Sequence, residues 1–65
     1  MVFESEKKFV RVAEVINIVA LGRTTINRMI ATGTFPQPVK LTDHRVAWHL
    51  HEIQAWMSSR PRRNE

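Results

Sequence analysis

Residues 12–33 read VAEVINIVALGRTTINRMIATG, and the spacing inside this stretch decides the fold. Val12, Val15, Ile16, Ile18 and Val19 fall within one arc at 100° per residue, which predicts a helix over residues 12–19. All five are β-branched, so the segment is a weak intrinsic helix former that packing has to hold, and its start offers no clear cap. Ala20-Leu21-Gly22 is a short turn with Leu21 as an apolar plug. A second helix is expected over residues 23–32, with Gly22 as an acceptable N-cap and Gly33 as the left-handed residue that ends it. Ile26, Met29 and Ile30 recur at i, i+3 and i+4 and face inward, while Thr24, Asn27, Arg28 and Ala31 cover the opposite side.

Working outward, Phe9-Val10-Arg11 reads as a short extended segment entering the core, behind a polar, flexible lead over residues 1–8. Downstream, Phe35-Pro36-Gln37-Pro38 forbids helix and stiffens the connection. Val39-Lys40-Leu41 and Arg45-Val46-Ala47-Trp48 alternate about Thr42-Asp43-His44, which predicts a two-stranded hairpin. In that reading Val39, Leu41, Val46 and Trp48 point inward, and Lys40 and Arg45 share one outward face near the tip. A last helix is expected over residues 50–58 with Leu50, Ile53, Trp56 and Met57 inward, followed by a basic tail over 59–65 in which Pro61 bars further helix. Helix, short turn, helix, hairpin, helix is the layout of a mainly α, winged helix-turn-helix domain over residues 9–58, whose wing is the two-stranded β-hairpin.

Composition limits what such a domain does. At 65 residues, a chain buries only about 60% of its unfolded surface, so nearly every large apolar side chain is committed to the core. A lined catalytic cavity of roughly 300 Å³ or more is not expected, and function belongs on the outer surface. Without cysteine there is neither a disulfide nor a thiolate metal site. His44, His49 and His51 sit on separate elements and fit no common zinc spacing, and the six acids are scattered. No metal, cofactor or catalytic activity is therefore expected. The longest apolar run, Ile18 to Leu21, is far short of the roughly 20 residues of a membrane span, and the first residues lack the pattern of a secretory signal. The expected setting is cytoplasmic, nucleoid-associated and free of membrane.

Charge points to a partner. Up to Gly22, Lys7, Lys8 and Arg11 are balanced by Glu4, Glu6 and Glu14, so the net +4 of the chain resides in residues 23–65. An Arg-dominated remainder of this kind suggests a polyanion. On the second helix Arg23, Thr24, Thr25, Asn27 and Arg28 supply the hydrogen-bonding types that read base edges in the DNA major groove. On the hairpin Lys40, Thr42, His44 and Arg45 suit phosphates or a minor groove. Arg60, Arg62 and Arg63 in the tail are weaker phosphate candidates. Each has a plainer reading. The helix and tail arginines also serve as solvated charges, and Lys40 and Arg45 also guard a sheet edge. Trp48 and Trp56 read as core anchors rather than as stacking platforms for bases.

The residues also carry a resemblance. Arg11-Val12-x-Glu14-Val15, Leu21-x-Arg23-x-Thr25-Ile26-x-Arg28-x-Ile30, Gly33-x-Phe35-Pro36-x-Pro38-Val39-x-Leu41, Arg45-Val46-x-Trp48 and Ile53-x-x-Trp56 together resemble the AlpA-like phage regulators and excisionases. The likeness covers about residues 9–58, and the Gly-x-Phe-Pro-x-Pro-Val stretch with two tryptophans is its most specific part. The chain departs from the family at Ala20-Leu21-Gly22, where Gly-Leu-Ser is usual, and at Asn27, where Tyr is frequent. The resemblance implies a MerR-like winged helix that binds double-stranded DNA at an attachment site or a promoter of a prophage or integrative island. It implies action as a transcriptional regulator, as a recombination directionality factor that bends DNA for excision, or as both. An integrase, or further copies on adjacent sites, are the implied protein partners. With only a short segment after Ser58, no long dimerisation helix and no small-molecule effector are expected. The alternative is a protein-binding module that grips an integrase or a host regulator, with DNA binding secondary.

Overall fold

The computed structural model describes residues 8–63. Its elements run β1 (Phe9–Val10), α1 (Val12–Val19), α2 (Arg23–Thr32), β2 (Val39–Thr42), β3 (Arg45–His49) and α3 (Leu50–Ser58). Three helices surround a small antiparallel sheet of order β1-β3-β2. This arrangement is compatible with a small helix-turn-helix carrying a β wing. The helices occupy the spans that the apolar spacing predicts. Of the expected lead, residues 1–7 lie outside the described residues, as do residues 64–65 of the tail. Lys8 is tied into the fold, since its carbonyl accepts the Leu50 N–H at 2.8 Å and its Nζ lies 3.9 Å from the Glu14 carboxylate.

The two helices of the turn are held at their ends in different ways. Arg11 is the N-cap of α1, at φ −90° and ψ 170°, and makes no side-chain capping bond. Ser, Asp or Asn there would satisfy an orphan N–H, an interaction typically worth about 1 kcal/mol. At the other end Ala20 adopts the left-handed conformation at φ 62°, and its N–H donates to the Ile16 carbonyl. An L-residue in that well costs roughly 1–2 kcal/mol. Helix α2 closes without such strain. Gly33 takes φ 80° and donates to the Ile30 carbonyl at 3.1 Å, while the Thr34 N–H reaches Met29 O at 2.8 Å, the paired bonds of a Schellman stop. Gln37 Nε2 adds a third bond to the Ile30 carbonyl at 3.1 Å.

Two expectations about the sheet need correction. The wing is not an isolated hairpin, because β1 pairs along the free edge of β3 in the register Phe9↔His49 and Val10↔Trp48. The pairing satisfies backbone groups that an open β3 edge would leave to solvent. Leu41 and Val46 are not inward, at 40% and 44% exposure, and Ala47 is the fully buried residue of β3 beside Trp48. The cause is register: Val39 pairs with Ala47, Lys40 with Val46 and Thr42 with Arg45, so the ladder slips at Leu41. A bulge re-aims side chains on its own strand, while Val46 on β3 lines an open cleft against Ile30 of α2 rather than the core.

The core comprises Val10, Val15, Ile26, Phe35, Trp48 and Ile53, with Leu21, Met29, Ile30, Trp56 and others packed around it. Phe35 sits between both indoles, with ring centroids 6.5 Å from Trp48 and 4.7 Å from Trp56, each edge to face. The indole N–H groups do further work. Trp48 Nε1 donates to Pro36 O and Trp56 Nε1 to Thr34 O, both at 2.9 Å. The proline-rich connection is thus fastened on both flanks, and this sets how β2 leaves α2.

Candidate nucleic-acid interface

The buried residue of α2 is Ile26, and the helix turns its polar side away from it. Arg23, Thr24, Asn27 and Arg28 are all exposed. Thr25 is half-buried and is partly withdrawn from that surface. A helix carrying two guanidiniums, a carboxamide and a hydroxyl on one open side has the donors and acceptors that pair with base edges.

The wing is arranged otherwise than its sequence suggests. Lys40 stands opposite Val46 and Arg45 opposite Thr42. Adjacent residues Arg45 and Val46 point to opposite faces, so Lys40 and Arg45 do not share one. Thr42 Oγ1 accepts the His44 N–H at 3.3 Å, which folds the tip and engages that hydroxyl. His44, at the tip, is exposed. It lines, with Arg11, Arg23 and Asn27, a cleft of about 270 Å³ whose apolar walls include Ile30, Val46 and Trp48. The structure therefore brings Arg23 and Asn27 of α2 together with His44 of the wing.

Arg11 is a cleft residue that sequence reasoning did not select. Its signal was present, in an arginine standing where a capping residue belongs, but the direction of its side chain depends on tertiary packing. Among the described residues no carboxylate lines the cleft. Among the described residues the ion pair present is Lys8–Glu14, so Arg11, Arg23, Arg28, Lys40 and Arg45 carry their charge without an acidic partner. Such unneutralised cations beside low-dielectric walls concentrate positive potential.

The tail candidates are not alike. Arg60 is folded back on α3, with its guanidinium carbon 4.5 Å from the centroid of the Trp56 ring and Nε donating to Trp56 O at 3.3 Å. Arg62 and Arg63 are exposed. On another face an open furrow of about 630 Å³ runs between Pro36–Val39 and the α3 side bearing Glu52, Ala55 and Trp56. It is an open groove on the surface, between a stiff loop and a helix, and not a lined cavity within the core. His49 stacks near Phe9 at 4.9 Å and His51 at 5.2 Å. Among the described residues no group of three or more His, Asp or Glu is placed to hold a metal, and no helix is long and apolar enough to cross a membrane.

Two comparisons with known proteins bear on what the chain is. Residues 8–61 match the family described as Prophage CP4-57 regulatory protein (AlpA). The chain is also similar to "Uncharacterized protein ORF88" of Enterobacteria phage P4, at 41% identity over 56 residues. That match takes in 86% of this chain, which spans 64% of the length of the relative.

Proposed function

The chain belongs to the AlpA family of prophage regulatory proteins, and on that premise we propose that it is a sequence-specific binder of double-stranded DNA. The observation that carries this reading is the open polar side of α2, bordered by a cationic cleft and a wing. In the proposed complex residues 9–58 form a MerR-like winged helix. Helix α2 lies in the major groove, where Arg28 and Asn27 meet base edges and Arg23 and Thr24 fix the register. Thr25 assists from its half-buried position. The wing, with Lys40, Thr42, His44 and Arg45, follows the adjacent backbone and minor groove. Arg62 and Arg63 extend the phosphate contacts, and Arg60 steadies the start of the tail on Trp56. The target is an attachment site or a promoter of the element that encodes the protein. There it acts as regulator, as recombination directionality factor, or as both, with an integrase or further copies on neighbouring sites. It resides on the nucleoid and needs no cofactor or effector.

The test is salt. If Arg23, Arg28, Lys40, Arg45 and one tail arginine each neutralise a phosphate, log K against log salt has a slope near −4 to −5. A slope shallower than about −2 would reject duplex binding as the principal activity and favour a protein partner for the same surface. Footprinting across the DNA around the encoding gene then separates attachment site from promoter.

A further inference from the structure

We propose that the cleft between α2 and the wing is a phosphate site, in which Arg11, Arg23 and His44 close on one backbone phosphate of the bound duplex. The inference rests on the DNA-binding reading and adds to it a residue outside α2 and the wing. Three elements contribute: the N-cap of α1, the first turn of α2 and the tip of the hairpin.

The first argument is geometrical. Neighbouring major and minor grooves are divided by a single sugar-phosphate strand. A protein with a helix in one groove and a wing in the other straddles that strand, and the phosphate passes through whatever space separates the two. Here that space is the 270 Å³ cleft.

The second argument is electrostatic. Arg11 and Arg23 stand at the N-terminal ends of α1 and α2, where the helix dipole is positive and a cation is disfavoured. Glu14 in the first turn of α1 pairs with Lys8 at 3.9 Å, the first turn of α2 holds no acid, and among the described residues none lines the cleft. Arg11 also occupies an N-cap position without making a capping bond. The free protein forgoes helix stability at this residue. An anion between the two guanidiniums offsets the cation–dipole term at both helix ends. Guanidinium groups suit phosphate because their paired N–H donors match two of its oxygens, and His44 adds a ring N–H. The walls of Ile30, Val46 and Trp48 limit screening by water.

The decisive variant is Arg11→Ser, because serine supplies the missing cap while removing the guanidinium. It is expected to raise the melting temperature. It is also expected to weaken binding about tenfold on specific and scrambled duplexes alike, and to reduce the salt slope by about one unit. Arg11→Lys, which keeps charge but not the fork, should recover the slope and only part of the affinity. A folded Arg11→Ser protein that binds both duplexes with unchanged affinity and slope overturns the proposal while leaving the DNA-binding reading intact. Should the parent protein bind no duplex at all, inorganic phosphate titrated into the full chain, with chloride as control, decides the site by nuclear magnetic resonance. Saturable shifts centred on Arg11, Arg23 and His44 uphold it, and their absence rejects it.

Discussion

The hub around Phe35 and the cleft beside α2 are neighbours built on opposite terms. In the hub every polar group of the aromatic side chains is matched: both indole N–H groups find loop carbonyls at 2.9 Å. Among the described residues no buried side-chain nitrogen or oxygen lacks a partner. In the cleft, Arg11, Arg23 and the His44 ring come from three elements, and among the described residues no carboxylate lines it. The hub spends its interactions on holding one geometry, and the cleft keeps its own unmet until a ligand arrives. Trp48 belongs to both, since it fastens Pro36 and also walls the cleft. The contrast teaches that stability and binding reside here on largely separate residues, with one shared wall.

Trp48→Ala tests the shared wall and carries the largest expected effect, about 3–5 kcal/mol. Domains of this size rarely hold more, so loss of the folded circular dichroism signal is expected. A folded variant that merely binds DNA more weakly would move Trp48 from the hub to the interface. Arg28→Ala addresses the binding side alone. It should leave the melting temperature unchanged and cost about 1–3 kcal/mol on the specific duplex, with far less on scrambled DNA. Equal losses in a competition assay would assign Arg28 to the backbone and leave Thr24 and Asn27 to read bases. Ala20→Gly addresses stability alone. Relief of the left-handed alanine, less the extra entropy of an unfolded glycine, should stabilise by up to about 1 kcal/mol in urea melts with DNA affinity unchanged. Leu41→Thr is the smallest, within about 0.5 kcal/mol, because the side chain lies at the bulge and outside the core. A loss above 2 kcal/mol would restore Leu41 to the interior.

These outcomes also bear on what the sequence makes legible. The helices follow from local rules: a 3.6-residue apolar recurrence across Val12–Val19, and a glycine at 33 where only a left-handed stop fits. The hairpin follows from prolines and alternation. Alternation, however, assigns faces and not depth, so it could not place Leu41 and Val46 beyond the edge of the core, nor anticipate a slipped register between Lys40 and Thr42. The pairing of Phe9–Val10 with β3 and the reach of the indoles to Thr34 and Pro36 are encounters between distant residues that no local pattern encodes. At the interface, the exposed side of α2 was readable because it is the complement of an apolar stripe. The position of Arg11 was not, because an N-cap side chain takes its direction from whatever packs beside the helix.

The short strand β1 has a bearing on how the protein comes to be folded. Its partner, β3, lies at the far side of the helical pair in the chain, so Val10 waits for Trp48 and Lys8 waits for Leu50. Closing so wide a loop costs chain entropy that only the finished core repays. During synthesis α1 and α2 emerge with their apolar sides uncovered, and they have no sheet to rest on until the ribosome has released the hairpin. Among the described residues, β1 thus gains its pairing only once β3 is in place.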